Sequence, residues 1–337
     1  MLSNIFELTA WLPIRTIPFP GTVEKSKAAI AAYCTGLPQL AKALQPGITT
    51  ISALVKAPSA KIIKQIAIGT HPWMFEQRFI TFVLVEAGLQ YDLDELARHN
   101  PDSKFTDEDL YGIAASELAS FLQDSLIYGS LAHPGDLHSF AGRVFIHDHP
   151  MNQCGAVSGF PHNAIDEDDT PSWPSLSILP FEKIVSWAPL LELHENGVGH
   201  TKIERALASF TNLLSLSSVE VPSMLFWAMQ GLEAFYCQGV GDLRRQLSEK
   251  VKIFLGEWPN KSNIVGQAYD LRSRFVHGSF PIQRWNDGGF PDGSVEKDYE
   301  ALHDASELAV CMLTATLQKC ILHGFSEVTF DWRLTAK

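Results

Sequence analysis

The chain has no run of 18 or more apolar residues, no Cys-x-x-Cys pair and no excess of positive charge. The first absence removes the sequence signature of a membrane-spanning helix. The opening Met1-Leu-Ser-Asn-Ile-Phe-Glu also lacks the basic region and cleavage pattern of a secretory signal, so the expected compartment is the cytoplasm, with no membrane partner. The five cysteines, Cys34, Cys154, Cys237, Cys311 and Cys320, are odd in number and far apart, which predicts reduced thiols rather than a disulfide framework. A net charge of -12 argues against a constitutive, nonspecific nucleic-acid coat, because phosphate binding rests on clustered Lys and Arg. P-loop, Gly-x-Gly-x-x-Gly, Gly-x-Ser-x-Gly and His-Glu-x-x-His motifs are missing as well, which removes the common nucleotide, hydrolase and zincin chemistries.

What is present is an ordinary globular composition, 46% hydrophobic and 19% charged, on 337 residues, enough for two domains. Acidity is uneven. Residues 1–195 hold 12 Lys and Arg against 22 Asp and Glu, and residues 196–337 hold 14 against 16. The pattern predicts a mainly α protein: an acidic N-terminal domain over 1–178, predominantly helical and loop-rich, followed by a helical domain over 179–337.

In the first domain, Thr22 to Thr35 reads as a helix closed at Gly36, with Pro38 to Leu44 and Ile48 to Lys56 as two more short helices. The weak alternation of Ile62 to Ile68 also fits a strand. The apolar run Met74 to Ala87 fits either a buried helix or a long strand, and its length favours helix. Thr106-Asp-Glu-Asp ahead of Leu110, Ile113, Ala114, Leu118, Phe121 and Leu122 is a capped helix with acids at the positive end of its dipole. The section from Gly129 to Pro180 is read as loop. Within it His147, Asp148, His149, Cys154 and His162 are candidate metal ligands, but no familiar Cys/His framework joins them, and solvated loop histidines are the competing reading. The acidic run Asp166 to Asp169 reads as a solvated boundary loop. No metal and no cofactor are assigned. Leu179 to Leu191 is expected to lead into the second domain and cover one side of it.

In that domain four helices follow in order, at about 201–216, 220–237, 241–256 and 262–277, and a closing helix runs from Tyr299 to His323. The fourth carries Arg272 and His277. Five positions of helix separate the two by roughly 140° and about 7.5 Å, so the short imidazole cannot cross the gap alone, whereas a long guanidinium can. The pair can converge on one anion from a helix end, with arginine supplying a permanent charge and histidine a proton donor or acceptor. The bland alternative is a solvated helix arginine and a C-terminal histidine favoured by the dipole.

The string Asp270-Leu-Arg-Ser-Arg-Phe-Val-His-Gly278 resembles the signature of the Apea-like branch of the HEPN superfamily. Leu225 to Phe235, with its Leu-Glu-Ala core, looks like that family's upstream helix, Ile203 to Phe210 like its first helix, and Tyr299 to His323 like its closing helix. The resemblance covers about residues 180–325. It implies a dimerising helical bundle that acts as a metal-independent endoribonuclease, with a toxin-like or anti-phage defence role and a regulatory or antitoxin partner. Arg272 would hold the phosphate, His277 would transfer the proton, and Glu233 would position the arginine, with Asp270 and Ser273 in support. Ser273 departs from the pattern, since many active members carry Asn, Asp or His there. Arg274, Arg284 and Trp285 are candidate RNA contacts, the last by stacking on an unpaired base. The alternative is a non-catalytic dimerisation module that binds RNA, nucleotide or a partner protein. A third possibility places a metal-dependent activity in the histidine-rich loop 133–162.

Overall fold

The structure is a computed structural model, and it describes residues 5–15, 22–67, 80–91, 98, 105–139, 142–155, 173–193, 197–214, 221–239, 241–258, 263–281 and 293–331. The chain divides into two compact units. One is Met1–Gly159 with Ile178–Pro189, and the other is Phe160–Ser177 with Leu190–Lys337.

The first unit is built on a sheet, which corrects the expectation of a mainly α chain with a predominantly helical N-terminal domain. Strands β1 (Ile5–Arg15), β2 (Ile48–Val55), β3 (Ile80–Gln90), β4 (His138–Ser139), β5 (Gly142–Ile146) and β6 (His149–Cys154) form one antiparallel sheet in the order β2-β3-β1-β5-β6, with β4 also on β1. Phe6, Leu8, Ala10, Leu12 and Ile14 of β1 alternate onto one buried face, as the two-residue period of a strand requires. On the other face Trp11 joins Phe82, Leu84 and Phe145 beneath Ile62 and Ile66. Both faces of β1 and β3 are therefore covered along much of their length. That is why β3 reads as a continuous apolar run, in which strand and buried helix share one pattern. Residues 74–79 of that run lie outside the described residues.

Helices α1 (Thr22–Leu44), α2 (Ala60–Ile66), α3 (Asp107–Ala132) and α4 (Phe181–Trp187) complete the unit. The breaks expected at Gly36 and Pro38 do not occur. Buried Tyr33, Leu37, Leu40 and Ala41 hold α1 along its length, enough to offset the roughly 3 kcal/mol that an interior proline costs. Ile48–Val55 is a strand rather than a helix, and Ala60–Ile66 is a helix capped by Ser59, whose side chain accepts the Ile62 N–H. Helix α3 starts as its sequence predicts, with Thr106 and Asp109 in a reciprocal capping box. Helix α4, expected to cover the second domain, packs against α1 and α3 instead, with the Phe181 ring edge-on to Tyr33 at 6.3 Å.

The second unit is a helical bundle: α5 (Lys202–Leu214), α6 (Val221–Tyr236), α7 (Leu243–Leu255), α8 (Ile264–Val276) and α9 (Gly293–His323). The spans agree with the periodic pattern to within a few residues, except that the closing helix starts earlier, at Gly293. Thr201 and Asn263 cap α5 and α8 by accepting the N–H groups of Glu204 and Gly266. Helix α6 lies against every other helix of the bundle, and α9 adds Leu302, Ala309, Leu313 and Leu317 to the same core. Among the described residues α9 is also the one helix long and apolar enough to cross a membrane; most of it is buried within the protein.

Candidate functional site

Helix α8 ends in the geometry its sequence demands. The Gly278 N–H reaches the Phe275 carbonyl at 3.2 Å and the Ser279 N–H reaches that of Arg274 at 2.9 Å, while Gly278 takes φ +71°, open to a residue without Cβ. His277 is the cap residue, and its own N–H bonds the Ser273 carbonyl at 3.0 Å. Its side chain is exposed and has no hydrogen bond or ion pair among the described residues.

Arg272 sits one turn further in, facing α6. Its Nη2 lies 3.5 Å from Glu233 Oε2, and the two side chains are only 15% and 14% exposed. The guanidinium also lies 5.9 Å from the centre of the Phe226 ring, two turns before Glu233 on the same face of α6. The pair is thus cross-helix, as expected for Glu233, but it is loose. Arg272 Nε and Glu233 Oε1 are both buried and have no hydrogen-bond partner among the described residues. Burial raises the Glu233 carboxyl above its ordinary range, against the opposing pull of Arg272. Tyr269, one turn before Arg272, is raised as well, first by burial and then by the Glu233 charge.

The other expected residues are engaged elsewhere. Asp270 faces α7, where Arg244 grips it through two bonds of 2.8 Å, so it does not support Arg272. Arg274 pairs with Asp298 at 3.4 Å and lies 5.4 Å from the Phe280 ring. The Ser273 side chain makes no hydrogen bond among the described residues, leaving its backbone carbonyl as the tie to His277. Arg284 and Trp285 lie outside the described residues.

Three partners were not foreseen: Phe226 beneath Arg272, Arg244 on Asp270 and Asp298 on Arg274. The spacing of Phe226 and Glu233, seven residues or two helical turns, is a signal for the first. The other two depend on how helices pack.

The histidine-rich segment is the β5-β6 hairpin. His147 and Asp148 form its turn with φ of 46° and 68°. Asp148 pairs with Lys61 at 3.6 Å. Cys154 is buried at the far end of β6, opposite Gly142 and about 16 Å of strand from His149. His162 and Asp166 to Asp169 lie outside the described residues. Among the described residues no three His, Cys, Asp or Glu side chains come together as a metal-binding group.

Compared with protein-family models, curated proteins and solved structures, the chain matches none.

Proposed function

We propose that the helical unit is a metal-independent endoribonuclease of the HEPN type, with Arg272 and His277 as its catalytic pair. The observation that carries this reading is the His277 imidazole, exposed and without a partner among the described residues, at the capped end of the helix that also holds Arg272, whose Nε has no partner among them either. In the reaction the ribose 2′-hydroxyl loses its proton and attacks the adjacent phosphorus. The P–O5′ bond breaks, O5′ takes a proton, and a 2′,3′-cyclic phosphate remains. His277 serves the proton transfers, and Arg272 stabilises the charge that builds on the phosphoryl oxygens. Glu233 and Phe226 fix the guanidinium, so its conformational freedom is spent before substrate arrives.

A homodimer through this unit would set two such helix ends beside one RNA. The acidic first unit would act as sensor or restraint, with a regulatory or antitoxin partner, in a cytoplasmic toxin-like or anti-phage role. A second reading, a non-catalytic module binding RNA, nucleotide or a partner protein, is favoured by one observation: at 15% exposure Arg272 is mostly committed to Glu233.

The test is incubation with a structured tRNA and with the same sequence as DNA, both in EDTA, followed by analysis of product ends. Cleavage of RNA alone, leaving cyclic-phosphate ends, supports the nuclease. Equal cutting of DNA overturns it, because DNA has no 2′-hydroxyl, and saturable RNA binding without cleavage moves the second reading ahead.

A further inference from the structure

A second concentration of chemistry lies in the helical unit, where α5 begins and α6 and α7 end. Phe235, Tyr236 and Phe254 form an aromatic cluster with ring centres 4.8 to 5.9 Å apart. Into it the chain inserts Phe330, which follows α9 on an irregular segment. Its ring lies 5.8 Å from Phe235, 5.6 Å from Tyr236 and 6.2 Å from Phe254. Two lysines converge on the inserted ring, Lys202 Nζ at 5.2 Å and Lys250 Nζ at 5.3 Å from its centre.

Burial of a cation calls for a paired anion, and among the described residues no carboxylate forms an ion pair with either ammonium. Lys250 is 2% exposed, and its ammonium donates to two uncharged oxygens, the Tyr236 carbonyl at 2.7 Å and Gln246 Oε1 at 3.1 Å. Lys202 Nζ is buried and has no hydrogen-bond partner among the described residues. Burial lowers both lysines, and for Lys202 the neighbouring charges of Lys250 and Arg205 add to the effect. The acidic side chain that acts on Lys202 is Asp331, the residue after Phe330, and the nearby Cys237 thiol is raised to about 11 by burial. The tail therefore offers the cage a ring followed by a carboxylate. Around Phe330, Glu327, Thr329 and Asp331 are exposed, and only Val328 and Phe330 of these five residues are partly buried.

We propose that this cage is a binding site for a small aromatic phosphate ester, such as a nucleoside monophosphate, and that Phe330 with Asp331 is its displaceable occupant. A planar ring would take the place of the Phe330 ring between the aromatic walls, and the phosphate would supply the missing counter-charge for Lys202 and Lys250. The proposal does not depend on the chemistry of the Arg272 and His277 helix end.

Titration calorimetry on the full-length chain tests this, with phenyl phosphate and adenosine monophosphate as probes and with inorganic phosphate and benzyl alcohol each carrying half of the chemistry. Phe330→Ala is expected to bind phenyl phosphate at least about tenfold more tightly than wild type, and each half-probe more weakly than the whole. Adding Lys202→Met to that background should remove at least about tenfold, the loss of one charge-assisted hydrogen bond. A fluorine label on the ring of Phe330 in otherwise native protein guards against misfolding of the variants; its resonance should move to the solvent-exposed position as phenyl phosphate saturates. An unmoved resonance at saturating probe, or a Phe330→Ala affinity equal to wild type, or an affinity indifferent to Lys202, overturns the proposal.

Discussion

Breaking the Arg272–Glu233 pair from one side should cost more than removing it whole. Arg272→Met strands the Glu233 carboxylate at 14% exposure, with one oxygen already lacking a hydrogen-bond partner among the described residues. Breaking a buried pair costs about 3–5 kcal/mol, and a single 3.5 Å contact with some solvent access belongs at the lower end, about 3 kcal/mol. Glu233→Leu should cost less, about 2 kcal/mol, because a guanidinium is weakly hydrated and keeps its contact with Phe226. The double variant replaces the pair by apolar side chains and should lie within about 1 kcal/mol of wild type, a coupling of about 4 kcal/mol. Hydrogen exchange of the α6 and α8 amides reads the opening free energy of these helices without requiring both units to unfold together. The pH sets a second condition. A carboxyl raised in the folded state is tolerated while it holds its proton, and the penalty grows as pH rises through its folded value. Losing Arg272 raises Glu233 further, so the Arg272→Met deficit should be largest at pH 7–8 and shrink on acidification to about pH 5. A double variant that loses the sum of the single losses, with coupling below about 0.5 kcal/mol, would refute this reasoning.

Asp124 is pushed up to about 6 by burial, so its favourable protonated state is complete below about pH 4 and lost as pH rises through about 6. Asp124→Asn should therefore stabilise the first unit at pH 8 by at most about 3 kcal/mol and leave it unchanged at pH 4, as measured by thermal unfolding at the two pH values. A Cβ at position 36 would overlap the Phe181 ring, so Gly36→Ala should cost about 1–2 kcal/mol despite its better helix propensity, with faster exchange in α4 as the sign. Gly278→Ala should cost about 1 kcal/mol, since φ is +71° there, and should raise the exchange of the Ser279 amide.

How legible these features were in the sequence follows from what each residue contacts. Helices α5 to α8 announce themselves because each buries a periodic apolar set, and three of them also carry a capping side chain or a closing glycine: Thr201, Gly256, Asn263 and Gly278 mark ends that tertiary contacts do not override. The strands of the first unit do not. Phe82 to Val85 is apolar on successive residues because both faces of β3 are covered, and nothing local separates that from a buried helix. Pro38 and Gly36 misled in the opposite sense, since packing against the sheet and Phe181 carries α1 through both. At the candidate site, Arg272, His277 and Glu233 stand out by type and order. That Asp270 turns to Arg244, 26 residues away, is decided by the way α7 and α8 pack, which no local pattern encodes.

His277 supplies the most direct measurement, because its exposed side chain makes no hydrogen bond or ion pair among the described residues and its loss should change stability by less than about 0.5 kcal/mol. Single-turnover cleavage of a structured tRNA in EDTA by wild type and by His277→Ala should differ by about 10²-fold or more, with cyclic-phosphate ends from the wild type. Equal cleavage by the two proteins, or intact RNA with both under conditions where wild type binds it, would contradict the assignment.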